Sequence, residues 1–308
     1  MGVYEASIIA VLTGMFRISP VLLLPALGEA MSERAGVFNV GLEGYMLMGA
    51  LFGYYGAILT GNPWVGIAMG IVGGMLLSVV HAYFTITQKA NQILCGIALW
   101  ILGMGLTSFI FRAVEISGGI KYFEPVVLPG LSKIPLLGPV LFQQNAIVYI
   151  TLLLVFFFAF VLFRTPFGLI TRGTGDNPLA IDIAGRNVSL IRYANVLICG
   201  AMAGFGGAYM SLAILDRFIE NMTAGRGFVA LALVIFGNWN PWWILGGTLI
   251  FTLVDSFQIH IQAAGAILVP YPFLLMSPYV LALIILIFSG RKAVGAAKLF
   301  IPYTKGED

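Results

Sequence analysis

The sequence predicts an all-α fold: a polytopic transmembrane helical bundle with about 9–10 membrane segments, some short or broken, in a single domain over residues 1–308. Three observations predict it. Of the residues, 60% are apolar and only 9% are charged, where a soluble domain carries about 25% charged residues. The mean hydropathy is +0.99. Apolar stretches of about 20 residues, the length needed to cross a bilayer, recur along the whole chain.

The same numbers exclude other classes. Scarce charge excludes a disordered chain. Two cysteines exclude a disulfide scaffold. A net charge of +3 with no basic stripe argues against nucleic-acid binding. The first apolar stretch is not expected to be a signal peptide: Glu5 is the only charge before Arg17, and no small-residue cleavage site follows.

In chain order, the full-length segments are residues 7–27, 43–59, 63–86, 92–111, 146–163, 191–215, 241–261 and 266–288. Two further apolar stretches, 35–44 and 228–236, are too short or glycine-interrupted for an ordinary span. Counting both as crossings gives the upper figure. Lys and Arg near segment ends set orientation. The loop 164–192 holds Arg164, Arg172, Arg186 and Arg192, and the tail holds Arg291, Lys292, Lys298 and Lys305. Both are expected in the cytoplasm. The N-terminus joins them there only if residues 28–41 also cross, which is the favoured reading. The longest stretch outside the membrane, 112–145, leaves no room for a soluble catalytic domain.

Three segments carry mechanism. In loop 164–192, Asp176 or Asn177 can cap a helix, Pro178 suits its first position, and Gly185 suits the left-handed residue that ends it. The pattern predicts a short helix over 178–184, with Leu179, Ile181 and Ile183 as apolar residues needing cover. It rests on the membrane surface or its own bundle, or it is a docking peg for a soluble partner. The second segment, 28–44, packs Glu29, Glu33, Arg34, Asn39 and Glu43 between apolar runs. Charges in hydrocarbon cost about 2.5–3.5 kcal/mol each. They must pair, face a wet cavity or lie at the interface, and the glycines at 36, 41 and 44 permit a broken helix of the transporter kind. The third, 225–241, repeats the order of charge, glycine, short apolar run and glycine. Two such segments in matching halves point to an internal repeat. Trp239, Trp242 and Trp243 beside Pro241 read as an interfacial anchor.

Isolated groups say less. Asp255 is a pathway candidate, whereas His81 and His260 read as hydrogen-bonded packing residues. Cys95 and Cys199 read as buried small hydrophobes. With no CxxC and no His/Cys cluster, neither a metal site nor a cofactor is expected. Glycines at 200, 204, 206 and 207, and at 66, 70, 73 and 74, allow close helix contact.

The run Leu27-Gly-Glu-Ala-Met-Ser-Glu-Arg-Ala-Gly-Val-Phe-Asn-Val-Gly-Leu-Glu-Gly44 resembles the signature of ABC-transporter permeases of the branched-chain amino acid/ribose superfamily. It is most similar to the nucleoside-uptake branch. Residues 90–99, 225–232 and 237–241 fit the same branch, and 175–185 looks like its cytoplasmic coupling loop. Phe38 and Val40 depart from commoner isoleucines, and Thr174 and Asp176 vary the coupling loop. The resemblance implies a non-enzymatic permease domain in the multi-pass cell membrane of a bacterium or archaeon. It implies a cytoplasmic ABC ATPase, a second permease chain, an extracellular substrate-binding lipoprotein and membrane lipid as partners. No GxxxxGK[ST] loop is present for the chain to supply the ATPase itself. Nucleosides are the expected cargo. Riboflavin, vitamin B6 or a simple sugar, or an ion-coupled mechanism, are the alternatives. The expected pathway residues are Phe38, Asn39, Glu43, Asn91, Gln92, Arg226, Phe228 and Asp255. The expected coupling residues are Asp176, Asn177, Pro178, Leu179, Ile181, Asp182 and Gly185.

Overall fold

The computed structural model describes residues 3–114, 123–127, 129–263, 271–289 and 294–305. Arg291, Lys292 and the first residues of the expected 266–288 span lie outside the described residues. The helices are α1 (Val3–Arg34), α2 (Leu42–Thr60), α3 (Pro63–Ala82), α4 (Gln92–Ala113), α5 (Leu137–Leu141) and α6 (Ala146–Arg164). They continue with α7 (Pro166–Asp176), α8 (Pro178–Ile183), α9 (Val188–Tyr209), α10 (Arg226–Phe236), α11 (Pro241–Ala263) and α12 (Tyr271–Ser289). A π-helical turn extends α3 over Tyr83–Thr87 and another extends α9 over Met210–Ile214. Among the described residues, six helices are long and apolar enough to cross a membrane.

Three helices form the centre. α2 runs parallel to α9, and α3 runs antiparallel to both. Glycine makes this packing close. A Cβ on Gly49 would strike the backbone of Gly204, and one on Gly74 would strike the backbone of Gly200 and Gly204. Helix backbones in direct contact gain dispersion energy over a long seam, which is the principal attraction between helices in lipid. The predicted packing glycines at 66, 70, 74, 200 and 204 all lie in this seam.

α1 packs antiparallel along α9. Gly28 lies against Cys199 and Met202, Gly206 against Pro25, and the Arg17 guanidinium donates to the Ala213 carbonyl at 3.1 Å. The start of α1 therefore lies at the end of the bundle opposite loop 164–192. This overturns two expectations. Residues 28–41 are not a separate crossing, and the N-terminus does not share a side with that loop. The helix does not break at Gly28 because its charges find partners inside the protein. Glu29 and Glu33 are fully buried and hydrogen-bonded to Asn39, Cys199 and Trp239.

After Arg34 the chain turns at Gly36 (φ +90°) and climbs back without helical structure only part of the way. α2 then begins beside the middle of α9, just after Asn39 meets Cys199. The second half repeats this order in the opposite direction. α9 with its π turn reaches the far end, residues 216–225 return part of the way, and α10 completes the pass. At about 1.5 Å per residue the 11 residues of α10 span about 16 Å, half of a ~30 Å hydrocarbon core. The two halves thus match in geometry as the sequence pattern anticipated. Each interrupted pass counts once. With α1, α3, α4, α6, α9, α11 and α12, the described residues traverse the bundle nine times.

Loop 164–192 and the tail 294–305 meet at one end, as their shared charge implied. The Lys298 N–H donates to the Gly175 carbonyl at 2.8 Å. The orientation rule makes this end cytoplasmic, and it is called the inner end below. Trp242 and Trp243 are exposed there, in keeping with an interfacial anchor. Trp239 is not part of it. It is buried, and its indole Nε1–H donates to Glu33 at 2.6 Å.

Candidate solute pathway and coupling surface

Two clusters hold the starts of α2 and α10. The first surrounds the non-helical segment before α2. The Glu29 carboxylate accepts from the Asn39 backbone N–H at 2.9 Å, the Asn39 amide at 3.0 Å and the Cys199 thiol at 3.0 Å. The Asn39 amide also donates to Ser32 Oγ at 2.7 Å. Gln92, at the start of α4, accepts from the Phe38 N–H at 2.9 Å and donates to the Gly36 carbonyl at 3.3 Å. Cys199 is thus a buried donor rather than a plain hydrophobe. Every one of these groups is consumed in fixing a non-helical stretch whose backbone could not otherwise be satisfied in an apolar bundle.

The second cluster joins α2 and α10 directly. Glu43, in the first turn of α2, accepts from Thr223 Oγ1 at 2.6 Å, the Gly225 N–H at 2.7 Å and the Gly227 N–H at 2.6 Å. It is 1% exposed. The first N–H groups of α10 have no helical partners, and a carboxylate there satisfies them and opposes the positive end of the helix dipole. Glycine is required at 227 because a Cβ would meet the Glu43 backbone. Beside this junction Arg226 faces Asp255 across 3.6 Å, with side chains 24% and 12% exposed. The Phe228 ring stands edge-on to Trp100 at 5.0 Å between centroids.

The expected pathway residues therefore fall into groups. Phe38, Asn39 and Gln92 meet at the segment before α2. Glu43, Arg226, Phe228 and Asp255 meet at the junction. Asn91 stands apart: it is exposed and caps α4, accepting from the Ile93 and Leu94 N–H groups. Thr223 and Trp100 belong to the junction without having been singled out in the sequence. Glu43's principal partners are backbone N–H groups, which leave no side-chain signature. The sequence showed only Gly225 and Gly227, small enough to let the carboxylate in.

At the inner end α8 forms as its pattern predicts. Asn177 supplies the cap, accepting from the Ala180 N–H at 3.1 Å, and Gly185 has φ +78°. Asp176 instead accepts from the Ala297 N–H at 3.2 Å. α7, unpredicted, precedes it. Thr165 and Pro166 start it with the same capping logic, and the Gly168 N–H donates to the Thr165 hydroxyl oxygen at 3.2 Å. Pro178 is buried, Leu179, Ile181 and Asp182 are half-buried, and Ile183 is 78% exposed. One face of the short helix is thus seated on the protein while Ile183 projects away from it.

Arg192 had counted only as an orientation marker. It is buried, donating to the Ala35 carbonyl at 3.2 Å and the Ile301 carbonyl at 3.1 Å. It ties the end of α1, the start of α9 and the tail together.

Interrupted passes whose helix starts converge inside the bundle, with a surface helix pair on one end, define a membrane transport protein. The chain belongs to the family described as branched-chain amino acid transport system / permease component, which matches residues 11–289. It is 37% identical to the guanosine ABC transporter permease protein NupQ of Bacillus subtilis, covering 93% of each chain. It is 35% identical to the nucleoside ABC transporter permease protein NupC of Lactococcus lactis subsp. cremoris, covering 96% of this chain and 97% of that one. It is 42% identical to a Haloferax volcanii protein named provisionally as the glucose ABC transporter permease protein TsgC13, covering 81% and 77%. No solved structure matches it. The chain is accordingly a multi-pass ABC permease component of the cell membrane.

Proposed function

We propose that this chain is the permease subunit of an ATP-driven importer whose cargo is nucleosides, driven by a separate cytoplasmic ATPase that engages α7 and α8. The observation that carries the cargo is the end-to-end correspondence with relatives named for guanosine and nucleosides. The relative named provisionally for glucose, more identical over a shorter share, favours a sugar as the second reading. A second permease chain and an extracellular binding lipoprotein complete the machine. Arg226, Asp255 and Phe228 are half-buried or nearly buried beside the junction and are suited to brief polar and ring contacts with a base or ribose. Asn39, Glu43 and Gln92 act differently, holding the starts of α2 and α10. Phe38 bears on the path through the loop it belongs to, and Asn91 acts only as the cap of α4.

Uptake of labelled guanosine is the test, in cells lacking the chain and in complemented cells, with glucose, ribose, riboflavin and pyridoxine as competitors and an uncoupler present. Restored, uncoupler-resistant uptake that only nucleosides compete is the expected result. Competition by glucose or ribose alone would replace the cargo, and loss of uptake under the uncoupler with ATP maintained would replace the energy source.

The coupling surface has its own test. Ile183→Asp places a charge on an exposed side chain, so the fold should keep its stability within about 0.5 kcal/mol. Uptake is expected to fall at least tenfold and the ATPase to be lost on co-purification. Normal co-purification would remove α8 from the contact.

A further inference from the structure

The tail 294–305 makes contacts that the reading above does not use. On one side it is fastened to the coupling helices. The Lys298 N–H donates to Gly175 at 2.8 Å, the Ala297 N–H to Asp176 at 3.2 Å, and Lys305 faces Asp182 at 3.8 Å. On the other side it reaches both interrupted passes. Phe300 packs against Phe38 in a tilted ring pair, in the non-helical segment that leads into Gly41 and α2, with centroids 4.9 Å apart. The Val294 N–H donates to Asn238, and Gly295 lies under the Trp239 ring, just past the end of α10. Arg192 anchors the middle through Ile301. Phe300 itself has φ +68°, a conformation that is uncommon for an aromatic residue and persists where surrounding contacts impose it.

We propose that this tail is a strap that transmits movement of α7 and α8 to the segments before α2 and after α10, and that Phe300 is its positioning residue on the α2 side. The proposal rests on α7 and α8 being where an ATPase engages. Two bonds from its backbone N–H groups hold the strap at one end and ring contact holds it at the other, so the strap moves as a unit. When α8 shifts, Phe300 carries Phe38 with it, and the Asn39 and Glu43 clusters are displaced from the inner end. Phe300 acts through Phe38 and touches no solute.

The experiment uses the complete transporter in lipid vesicles. Two readouts are taken beside ATP hydrolysis: labelled guanosine uptake, and maleimide labelling of Cys95 with and without ATP and vanadate. Cys95 is half-buried and precedes Gly96, whose backbone packs on Val40 and Gly41. It therefore reports on the segment before α2 whatever the cargo is. Cys199, the chain's other cysteine, is buried.

In the wild type, trapping with vanadate is expected to change Cys95 labelling at least threefold. In Phe300→Ala that change is expected to vanish and uptake to fall at least fivefold, with hydrolysis kept within twofold. Phe300→Leu and Phe300→Val should fall between, and the graded series supplies a folded member should the alanine variant fail to assemble. A labelling change that survives in the variants overturns the strap. So does a wild type whose Cys95 ignores trapping, or hydrolysis that falls in step with labelling across the series. Vesicles that hydrolyse ATP and show the Cys95 change, but take up no guanosine, overturn the cargo and not the strap.

Discussion

Glu43→Ala is expected to abolish uptake and to lower the stability of the detergent-solubilised protein by about 3–5 kcal/mol, the range for removing one partner of a buried charged contact. The substitution leaves the Thr223 hydroxyl and the N–H groups of Gly225 and Gly227 without an acceptor in a water-free place. Each unmade bond costs about 1–3 kcal/mol, so the loss takes a large share of the about 5–15 kcal/mol typical of folded proteins. Glu43→Gln is a sharper version. Size is kept, but the amide can turn only one oxygen toward the three donors and aims its own N–H groups at the start of α10. It should rescue part of the stability and little of the uptake. Tryptophan-fluorescence melting and uptake on the same preparations decide it. A Glu43→Ala protein that melts as wild type would mean that the junction opens at no cost and that the carboxylate is not its clasp.

Gly204→Leu should leave no folded protein at all. Position 204 is pressed from two sides. A Cβ there meets the Gly70 carbonyl and the Gly74 backbone, while Gly49 meets the Gly204 backbone from α2. Backbone cannot yield as a side chain can, so α3 and α9 would have to part along the whole seam. Overpacking a core usually costs about 1–3 kcal/mol and occasionally more. Here a four-carbon side chain has no void to enter. Gly204→Ala should fold with a clearly lowered melting temperature. Gly246→Ala, where a Cβ meets nothing within 4 Å, should be neutral. Yield of monodisperse protein on size exclusion is the readout, and a monodisperse Gly204→Leu would refute close packing of this seam.

The residues themselves explain how much of this was legible. Caps are local, so Asn177, Pro178 and Gly185 announced α8, while the equally local Thr165 and Pro166 announced α7 and went unread. The small-residue seam was legible because glycine at three- and four-residue spacing has few other uses inside a membrane helix. The fate of residues 28–41 was not. Glu29, Glu33 and Arg34 suggested a broken helix because partners such as Cys199 and Trp239 are far along the chain. Cys199 lies 170 positions from Glu29, and Trp239 lies 206 from Glu33. The candidate site divides in the same way. Its residue types stood out one by one, but the clasp between Glu43 and α10 is made to backbone, and the strap's hold on Gly175 and Ile301 is too. Bonds to backbone leave no trace in composition or spacing.

The distance between Glu33 and Trp239 also sets a schedule for biogenesis. Ribosomes add about 5–20 residues per second, so the 206 residues that separate the two take roughly 10–40 s to arrive. Over that interval α1 sits in the bilayer with the Glu33 carboxylate lacking its indole partner. α1 is thus made well before its packing is finished. A nascent chain halted between residues 39 and 188 would present Glu33 without its indole partner to lipid, or to whatever chaperones the insertion machinery provides. The integrity of the bundle is thus settled only when its second half has been synthesised.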